Sequence, residues 1–183
     1  MTDRRLVLRA LLDAHHPPDD TEASYVESMV ALTHLPGDPF SRRHFTPGHF
    51  TASAFVISPD GASLLLIHHE KLHRWLQPGG HVEDGDADVF GAAAREVREE
   101  TGLEAFEPLE EGALFDVDVH DIPALKGEPS HRHYDVRVAF LARSTELRAG
   151  AGVTGAKWVR LTEMADAGTD ESVLRAVRKL LGA

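Results

Sequence analysis

Three glutamates near the middle of the chain, Glu96, Glu99 and Glu100, have a spacing that suits metal chemistry. On a helix, residues three and four positions apart project side by side from successive turns, so these carboxylates would share one face. Gly102 is well placed to end that helix, and carboxylates are unfavourable in a last helical turn. Like charges at this spacing also repel one another. A hard divalent cation such as Mg²⁺ would remove both penalties, because it takes oxygen ligands from carboxylates and phosphates.

A solvated, acid-rich helix is the alternative interpretation of these glutamates. Arg95 and Arg98 lie among them and could form ordinary surface ion pairs. The segment that precedes the helix favours the metal site instead. It reads Gly79-Gly80-His81-Val82-Glu83-Asp84-Gly85-Asp86, and glycine lets a backbone approach a metal or phosphate closely.

Together the glycine-rich turn and the helix resemble the signature of the Nudix hydrolases. That signature is a glycine, five residues, a glutamate, seven residues, and then Arg-Glu, an aliphatic residue, any residue, Glu-Glu, any residue, a glycine and an aliphatic residue. From Arg95 to Leu103 every fixed position is matched. Two departures precede this stretch: Asp86 replaces the first glutamate, and residues 87–94 make the spacer one residue longer. Asp is a good helix N-cap and a loop absorbs an added residue, so the metal-binding half stays intact.

The resemblance implies a Mg²⁺- or Mn²⁺-dependent hydrolase that cleaves a phosphoanhydride in a nucleoside diphosphate linked to another group. Glu96 and Glu100 are then the expected direct metal ligands. Glu99 is a further metal ligand or the base that activates water, and Arg95 orients the glutamates by ion pairing. Water would attack at phosphorus and release a monophosphate together with a second phosphorylated product.

The substrate is expected at the turn before the helix. By the same resemblance, the backbone at Gly79 and Gly80 would lie close to the metal or phosphate, with His81 beside it as a further substrate-binding residue. Asp86 is interpreted either as a partner that supports the site or as the N-cap of the helix.

A second catalytic acid is less well defined. Many members of the family carry a glutamate shortly before a tryptophan of a late strand, whereas this chain has Val153-Thr154-Gly155-Ala156-Lys157-Trp158 there. An extra base would have to come from elsewhere, or the helix would act alone. Four residues are candidates for that base: Asp116, Asp118, Glu128 and Asp135.

Histidine is frequent, with 12 residues in the chain. His131 and His133 would lie on one side of a strand if the strand extends back that far, and two imidazoles on one face can bind a transition metal. The alternative is a pair of exposed or hydrogen-bonded loop histidines, because no third ligand is fixed by spacing.

Two other functional classes share the fold that the resemblance implies. An isopentenyl-diphosphate-isomerase-like enzyme commonly needs a cysteine and a glutamate, and this chain has no cysteine. A non-catalytic nucleotide-binding regulator would not need the complete set of glutamates. Release of phosphorylated products that requires Mg²⁺ would separate an enzyme from a regulator.

Composition limits the partners. The net charge of −11 argues against a nucleic acid polymer, although a local metal site still allows small phosphorylated ligands. Without cysteine there is neither a disulfide framework nor a thiolate zinc site. No segment resembles a signal peptide or a membrane span, so we expect a cytoplasmic protein that does not bind membranes and that could form a homodimer.

Length and composition predict one domain over residues 1–183, with an N-terminal helical extension at 1–48, and the resemblance implies a Nudix core at 49–183. Two helices are expected before residue 36, and a closing helix over 171–180. Strands are predicted at the following segments: 50–57, 63–68, 113–119, 134–142 and 156–161. The fold class is α/β (α+β), and the resemblance implies the Nudix-type α/β/α sandwich with a mixed sheet.

Overall fold

The computed structural model describes residues 3–110, 112–125, 127–150 and 152–182. It contains four α-helices: α1 (Arg4–Ala14), α2 (Asp20–His34), α3 (Val89–Thr101) and α4 (Glu171–Leu180). The first four strands are β1 (Gly48–Ile57), β2 (Ser63–His69), β3 (Arg74–Leu76) and β4 (Gly79–His81). The other four are β5 (Phe106–Pro108), β6 (Asp116–Ile122), β7 (His131–Ala142) and β8 (Val153–Arg160). A 3₁₀ helix, Leu161–Asp166, follows β8.

The strands pair in the order β3-β2-β1-β7-β5, with β4 on β1, β6 on β7 and β8 on β2. This sheet with its helices is an α+β fold, which confirms the predicted fold class. Helix α4 has the predicted bounds. Strand β7 begins three residues earlier than predicted and β6 begins three residues later. The short strands β3, β4 and β5 were not predicted, because three residues are too few to show an alternating pattern.

The chain divides into two compact units. The first consists of Met1–Ser53, Gly80–Ala93 and Gly112–Val138, and the second of Ala54–Gly79, Ala94–Glu111 and Ala139–Ala183. Strands β1 and β7 and helix α3 each contribute residues to both units. That the chain is one domain with a boundary near residue 48 stays a prediction.

In the first unit, α1 packs on α2 through buried leucines and a methionine. Leu8 and Leu12 are both 1% exposed, whereas Leu6 is 59% exposed. Helix α2 also buries Glu22, whose carboxylate lies 2.7 Å from Nε2 of His15. Hydrophobic periodicity cannot predict this pair. A carboxylate is buried only where it has a partner, and the hydrophobic pattern does not reveal that partner.

In the second unit, β2 is the central strand. It pairs antiparallel with β3 and with β8, and its residues 64–67 are almost completely buried. Helix α4 is capped at its N-terminus by Asp170, whose Oδ1 accepts from the Val173 amide at 3.0 Å. Its buried face carries Val173, Ala176 and Val177.

No helix among the described residues is both long enough and apolar enough to cross a membrane.

Candidate functional site

Helix α3 carries the three glutamates, and their exposure differs. One side of the helix is apolar and buried, with Ala93 and Val97 both 0% exposed. The Glu96 side chain is 14% exposed, the Glu99 side chain is 58% exposed, and Glu100 is partly buried. The periodicity of the helix therefore separates a core face from a carboxylate face, as the sequence predicts.

The end of α3 is held by backbone hydrogen bonds within the second unit. Gly102 adopts the left-handed conformation with φ +65°, and its amide donates to the Arg98 carbonyl at 3.0 Å, which confirms the predicted end of the helix. The amides of Arg148 and Gly150 donate to the carbonyls of Thr101 and Glu100 at 2.7 and 2.9 Å.

Gly150 is required for this close approach. A Cβ at that position would lie 1.7 Å from the Glu99 carbonyl oxygen, a distance that real side chains do not reach. Residues 148–150 therefore satisfy carbonyls of the last helical turn that would otherwise lack partners, and they fix the turn that carries Glu99 and Glu100.

Arg95 and Gly79 supply hydrogen bonds to the glutamates. Nη1 of Arg95 donates to Glu96 Oε1 at 2.9 Å and to Glu99 Oε2 at 3.2 Å. The backbone amide of Gly79 donates to Glu100 Oε2 at 3.0 Å. We call this group the acidic cluster (Arg95, Glu96, Glu99 and Glu100). With all three carboxylates ionised, its formal net charge is −2.

The pKa of Glu100 is raised to about 7, first by burial and then by the charges of Glu96 and Glu99. The hydrogen bond from the Gly79 amide lowers the pKa but does not offset these effects. The carboxylate therefore lies in a place that disfavours its own negative charge. A cation next to Glu100 would relieve both causes.

Gly80 and His81 continue from Gly79 in β4, where both are partly buried. In the first unit the His81 ring lies 5.1 Å from the His49 ring, and burial lowers the pKa of His81. The roles of Gly79, Gly80 and His81 in substrate binding stay predictions.

The helix N-cap is Asp88, not Asp86. Asp88 Oδ1 accepts from the Gly91 amide at 2.9 Å, as an N-cap side chain does. Asp86 Oδ2 instead accepts from the Glu83 amide at 2.8 Å within the preceding turn. The longer spacer explains the difference, because it places a second aspartate two residues nearer to the helix.

The alternative in which His131 and His133 belong to a loop is wrong. Both lie in β7, and His131 is 7% exposed. Burial, together with the neighbouring histidines, His49 first among them, lowers the pKa of His133 to about 2. His49 was not predicted as their neighbour, because a lone histidine on β1 has no spacing that links it to β7.

Three of the four candidate extra bases surround one arginine in the first unit. Arg137 lies 3.0 Å from Asp116, 3.5 Å from Asp118 and 2.9 Å from Asp135. All four side chains are at least 92% buried. We call this group the Arg137 network.

The Arg137 network is closed by further hydrogen bonds. Thr51 and Ser53 donate to the two oxygens of Asp135 at 3.0 and 2.7 Å. Burial opposes the charge of Arg137, but the three carboxylates raise its pKa above the ordinary value. These aspartates are therefore structural counterions. The fourth candidate, Glu128, lies 3.5 Å from Arg42 at the surface.

Comparisons with known proteins agree with this geometry. A family model described as the NUDIX domain matches residues 47–180. Over 42 residues the chain is 50% identical to a bis(5'-nucleosyl)-tetraphosphatase [asymmetrical] of Mus musculus, and the match spans 23% of this chain and 28% of the mouse protein. The chain thus covers little more than a quarter of that relative's length.

Two solved structures show the same fold. A C. elegans Ap4A hydrolase binary complex has a TM-score of 0.55 and 20% identity, over 73% of this chain and 95% of that one. The E. coli dihydroneopterin triphosphate pyrophosphohydrolase has a TM-score of 0.53 and 16% identity, over 73% of this chain and 96% of that one. With the family match over 47–180, the chain belongs to the Nudix hydrolase family.

Proposed function

We propose that this protein is a Mg²⁺- or Mn²⁺-dependent hydrolase that cleaves a phosphoanhydride bond in a nucleoside diphosphate linked to another group. The observation that carries the proposal is the acidic cluster. Three carboxylates share one face of α3, two of them are shielded from water, and one guanidinium compensates them incompletely. A helix selected only for stability would avoid that arrangement at its last turn.

The residues of the acidic cluster fit a hard divalent cation. Their donors are all carboxylate oxygens, which Mg²⁺ and Mn²⁺ prefer, and the surplus charge has the right sign. Glu96 and Glu100 are the proposed ligands because they are the two shielded side chains, and Glu99 is the proposed further ligand. When bound, the cation would neutralise the dense negative charge of the pyrophosphate oxygens.

The remaining residues keep the carboxylates in position. Arg95 holds Glu96 and Glu99 in one orientation, and the Gly79 amide fixes one oxygen of Glu100. We also assign to Glu99, the most exposed of the three, the role of accepting a proton from the attacking water. The oxygen of that water forms a bond to phosphorus, and the anhydride bond on the far side breaks.

The relatives support a group of substrates to test first. The mouse protein is named a bis(5'-nucleosyl)-tetraphosphatase and the C. elegans structure an Ap4A hydrolase. Dinucleoside polyphosphates contain the required phosphoanhydride between two nucleosides. We therefore place them at the head of a panel that also holds ADP-ribose, nucleotide sugars, coenzyme A and nucleoside triphosphates.

The test incubates the panel with native protein and with Glu100→Gln, with Mg²⁺, with Mn²⁺ or with EDTA, and separates the products by chromatography. The matched control is Glu104→Gln, because Glu104 follows the helix and its side chain is 78% exposed. We expect cation-dependent hydrolysis of at least one compound by the native protein and the control. Glu100→Gln should lose about a hundredfold or more in rate.

Hydrolysis by Glu100→Gln at the native rate would contradict the assigned role of Glu100. If the native protein binds a compound of the panel but hydrolyses none of them, the result would favour a nucleotide-binding regulator.

A further inference from the structure

Five histidine rings lie together in the first unit, and we call them the histidine cluster. They come from four strands: His49 of β1, His81 of β4, His120 of β6, and His131 and His133 of β7. The ring centroids of contacting pairs are 4.8 to 5.4 Å apart. Neither the acidic cluster nor its proposed chemistry uses His49, His131 or His133.

His49 has a polar atom without a partner. The residue is 1% exposed, and its Nε2 makes no hydrogen bond. A buried nitrogen that gives up its bond to water without a replacement costs on the order of 1–3 kcal/mol. Nearly all buried polar groups in proteins are satisfied, so this nitrogen calls for a partner.

The other nitrogens of two rings are turned towards backbone carbonyls. Nδ1 of His131 lies 2.8 Å from the Pro129 oxygen, and Nδ1 of His49 lies 3.3 Å from the His44 oxygen. A carbonyl only accepts, so each Nδ1 carries the proton and each Nε2 keeps a lone pair. Histidines that bind metals are usually held in this way, with the second nitrogen donating to a carbonyl or carboxylate.

Three of these histidines are close enough together to share one ion. One ligand atom each from His49, His131 and His133 lies within 4.8 Å of the other two. Two nitrogens bound to one tetrahedral zinc ion are about 3.3 Å apart, since each Zn–N bond is about 2.0–2.1 Å long. Small rotations of the three rings would therefore close the site.

The type of donor selects the type of ion. Imidazole nitrogen suits Zn²⁺, Co²⁺, Ni²⁺ and Cu²⁺, whereas Mg²⁺ prefers oxygen. One carboxylate also lies beside the histidine cluster: Asp118 Oδ2 is 3.1 Å from Nδ1 of His120. We propose that His49, His131 and His133 bind a divalent transition-metal ion of the Zn²⁺ class through three imidazole nitrogens, with water in the fourth position.

The test uses the full chain without an affinity tag, stripped of metal with EDTA and dialysed. Zn²⁺ is titrated in competition with a chromophoric chelator. Co²⁺ is titrated in parallel, because its visible absorption is intense in a tetrahedral site and weak in an octahedral one. The ligand variant is His133→Gln, chosen because His133 is only partly buried. The matched control is His34→Gln, an exposed residue at the end of α2.

We expect one tight Zn²⁺ per native chain and an intense Co²⁺ spectrum. Zn²⁺ should bind His34→Gln equally well and His133→Gln at least about tenfold more weakly. Glu100→Gln should bind Zn²⁺ as the native protein does, which keeps this test independent of the proposed hydrolysis. Equal affinities of His133→Gln and His34→Gln would overturn the site. A weak, octahedral Co²⁺ spectrum in the native protein would also overturn it, and that measurement needs no variant.

Discussion

The acidic cluster on α3 and the Arg137 network each combine three carboxylates with one arginine. Arg95 bonds to Glu96 and Glu99, whereas Arg137 lies close to all three of its aspartates. In the Arg137 network every side chain is at least 92% buried, and Asp135 accepts three hydrogen bonds. In the acidic cluster the side chains are more exposed, and among the described residues the backbone hydrogen bond to Glu100 comes from Gly79. The same set of charges is therefore satisfied by hydrogen bonds within the Arg137 network, whereas in the acidic cluster a bound cation could balance the remaining negative charge.

The pKa directions express this difference. The carboxylates around Arg137 stabilise its positive charge and raise its pKa. Around Glu100, burial and the neighbouring glutamates destabilise its negative charge and raise the pKa to about 7. Charges in the Arg137 network thus support the fold, whereas the charge of Glu100 opposes it in the absence of a cation.

The largest expected effect is that of Arg137→Met. Methionine has a similar length but leaves three buried carboxylates without their counterion, and breaking a buried ion pair in this way costs about 3–5 kcal/mol. Urea unfolding should show that loss in the free energy of unfolding. The control is Arg143→Met, whose ion pair with Glu107 is exposed and is worth at most about 1 kcal/mol. Equal losses in the two variants would mean that the Arg137 network does not stabilise the fold.

When no metal is present, Glu100→Gln should increase the free energy of unfolding, whereas Arg137→Met should decrease it. The folded-state pKa of Glu100 is about 7 and the ordinary value is 4.5, so between these pH values the folded protein binds a proton that the unfolded chain has released. Stability is therefore lost as the pH rises through that window. Glutamine keeps an acceptor for the Gly79 amide and removes the charge.

In EDTA at pH 8 the Glu100→Gln variant should be more stable than the native protein by on the order of 2 kcal/mol. The advantage should shrink as the pH falls towards 5, as measured by urea unfolding at each pH. Glu104→Gln should show no such trend, because its side chain is exposed. A Glu100→Gln variant that is less stable than native at pH 8 would contradict the described environment of Glu100.

A smaller effect is expected from Mg²⁺ itself. A ligand that binds only the folded state at ten times its dissociation constant adds about 1.4 kcal/mol to the free energy of unfolding. Thermal unfolding of the native protein should show this gain, while Glu100→Gln should gain much less. NaCl at the same ionic strength controls for screening of exposed charges. An equal gain from NaCl would indicate screening in place of a bound cation.

Local sequence patterns were enough to predict much of the acidic cluster. Helical spacing placed Glu96, Glu99 and Glu100 on one face, and Gly102 ended the helix as expected. These features depend on residues within one or two turns, so no long-range information is needed. The ion pairs of Arg95 are local for the same reason, since they join neighbours on one helix.

The Arg137 network was not predicted, because it depends on the pairing of distant strands. In the observed register Asp116 is opposite Arg137 and Asp118 is opposite Asp135. Sequence alternation shows that residues two apart share a face, but it does not give the register between β6 and β7. The histidine cluster has the same origin, because His49 approaches His133 only through the sheet.

Mn²⁺ binding measured by electron paramagnetic resonance tests most directly whether the acidic cluster is the cation site. Free Mn²⁺ is titrated with the native protein, with a Glu96→Gln/Glu100→Gln double variant, and with His133→Gln and Glu104→Gln as controls. We predict that the native protein and both controls bind Mn²⁺ with the same dissociation constant, and that the double variant binds it at least about tenfold more weakly. An unchanged dissociation constant in the double variant would contradict the central claim.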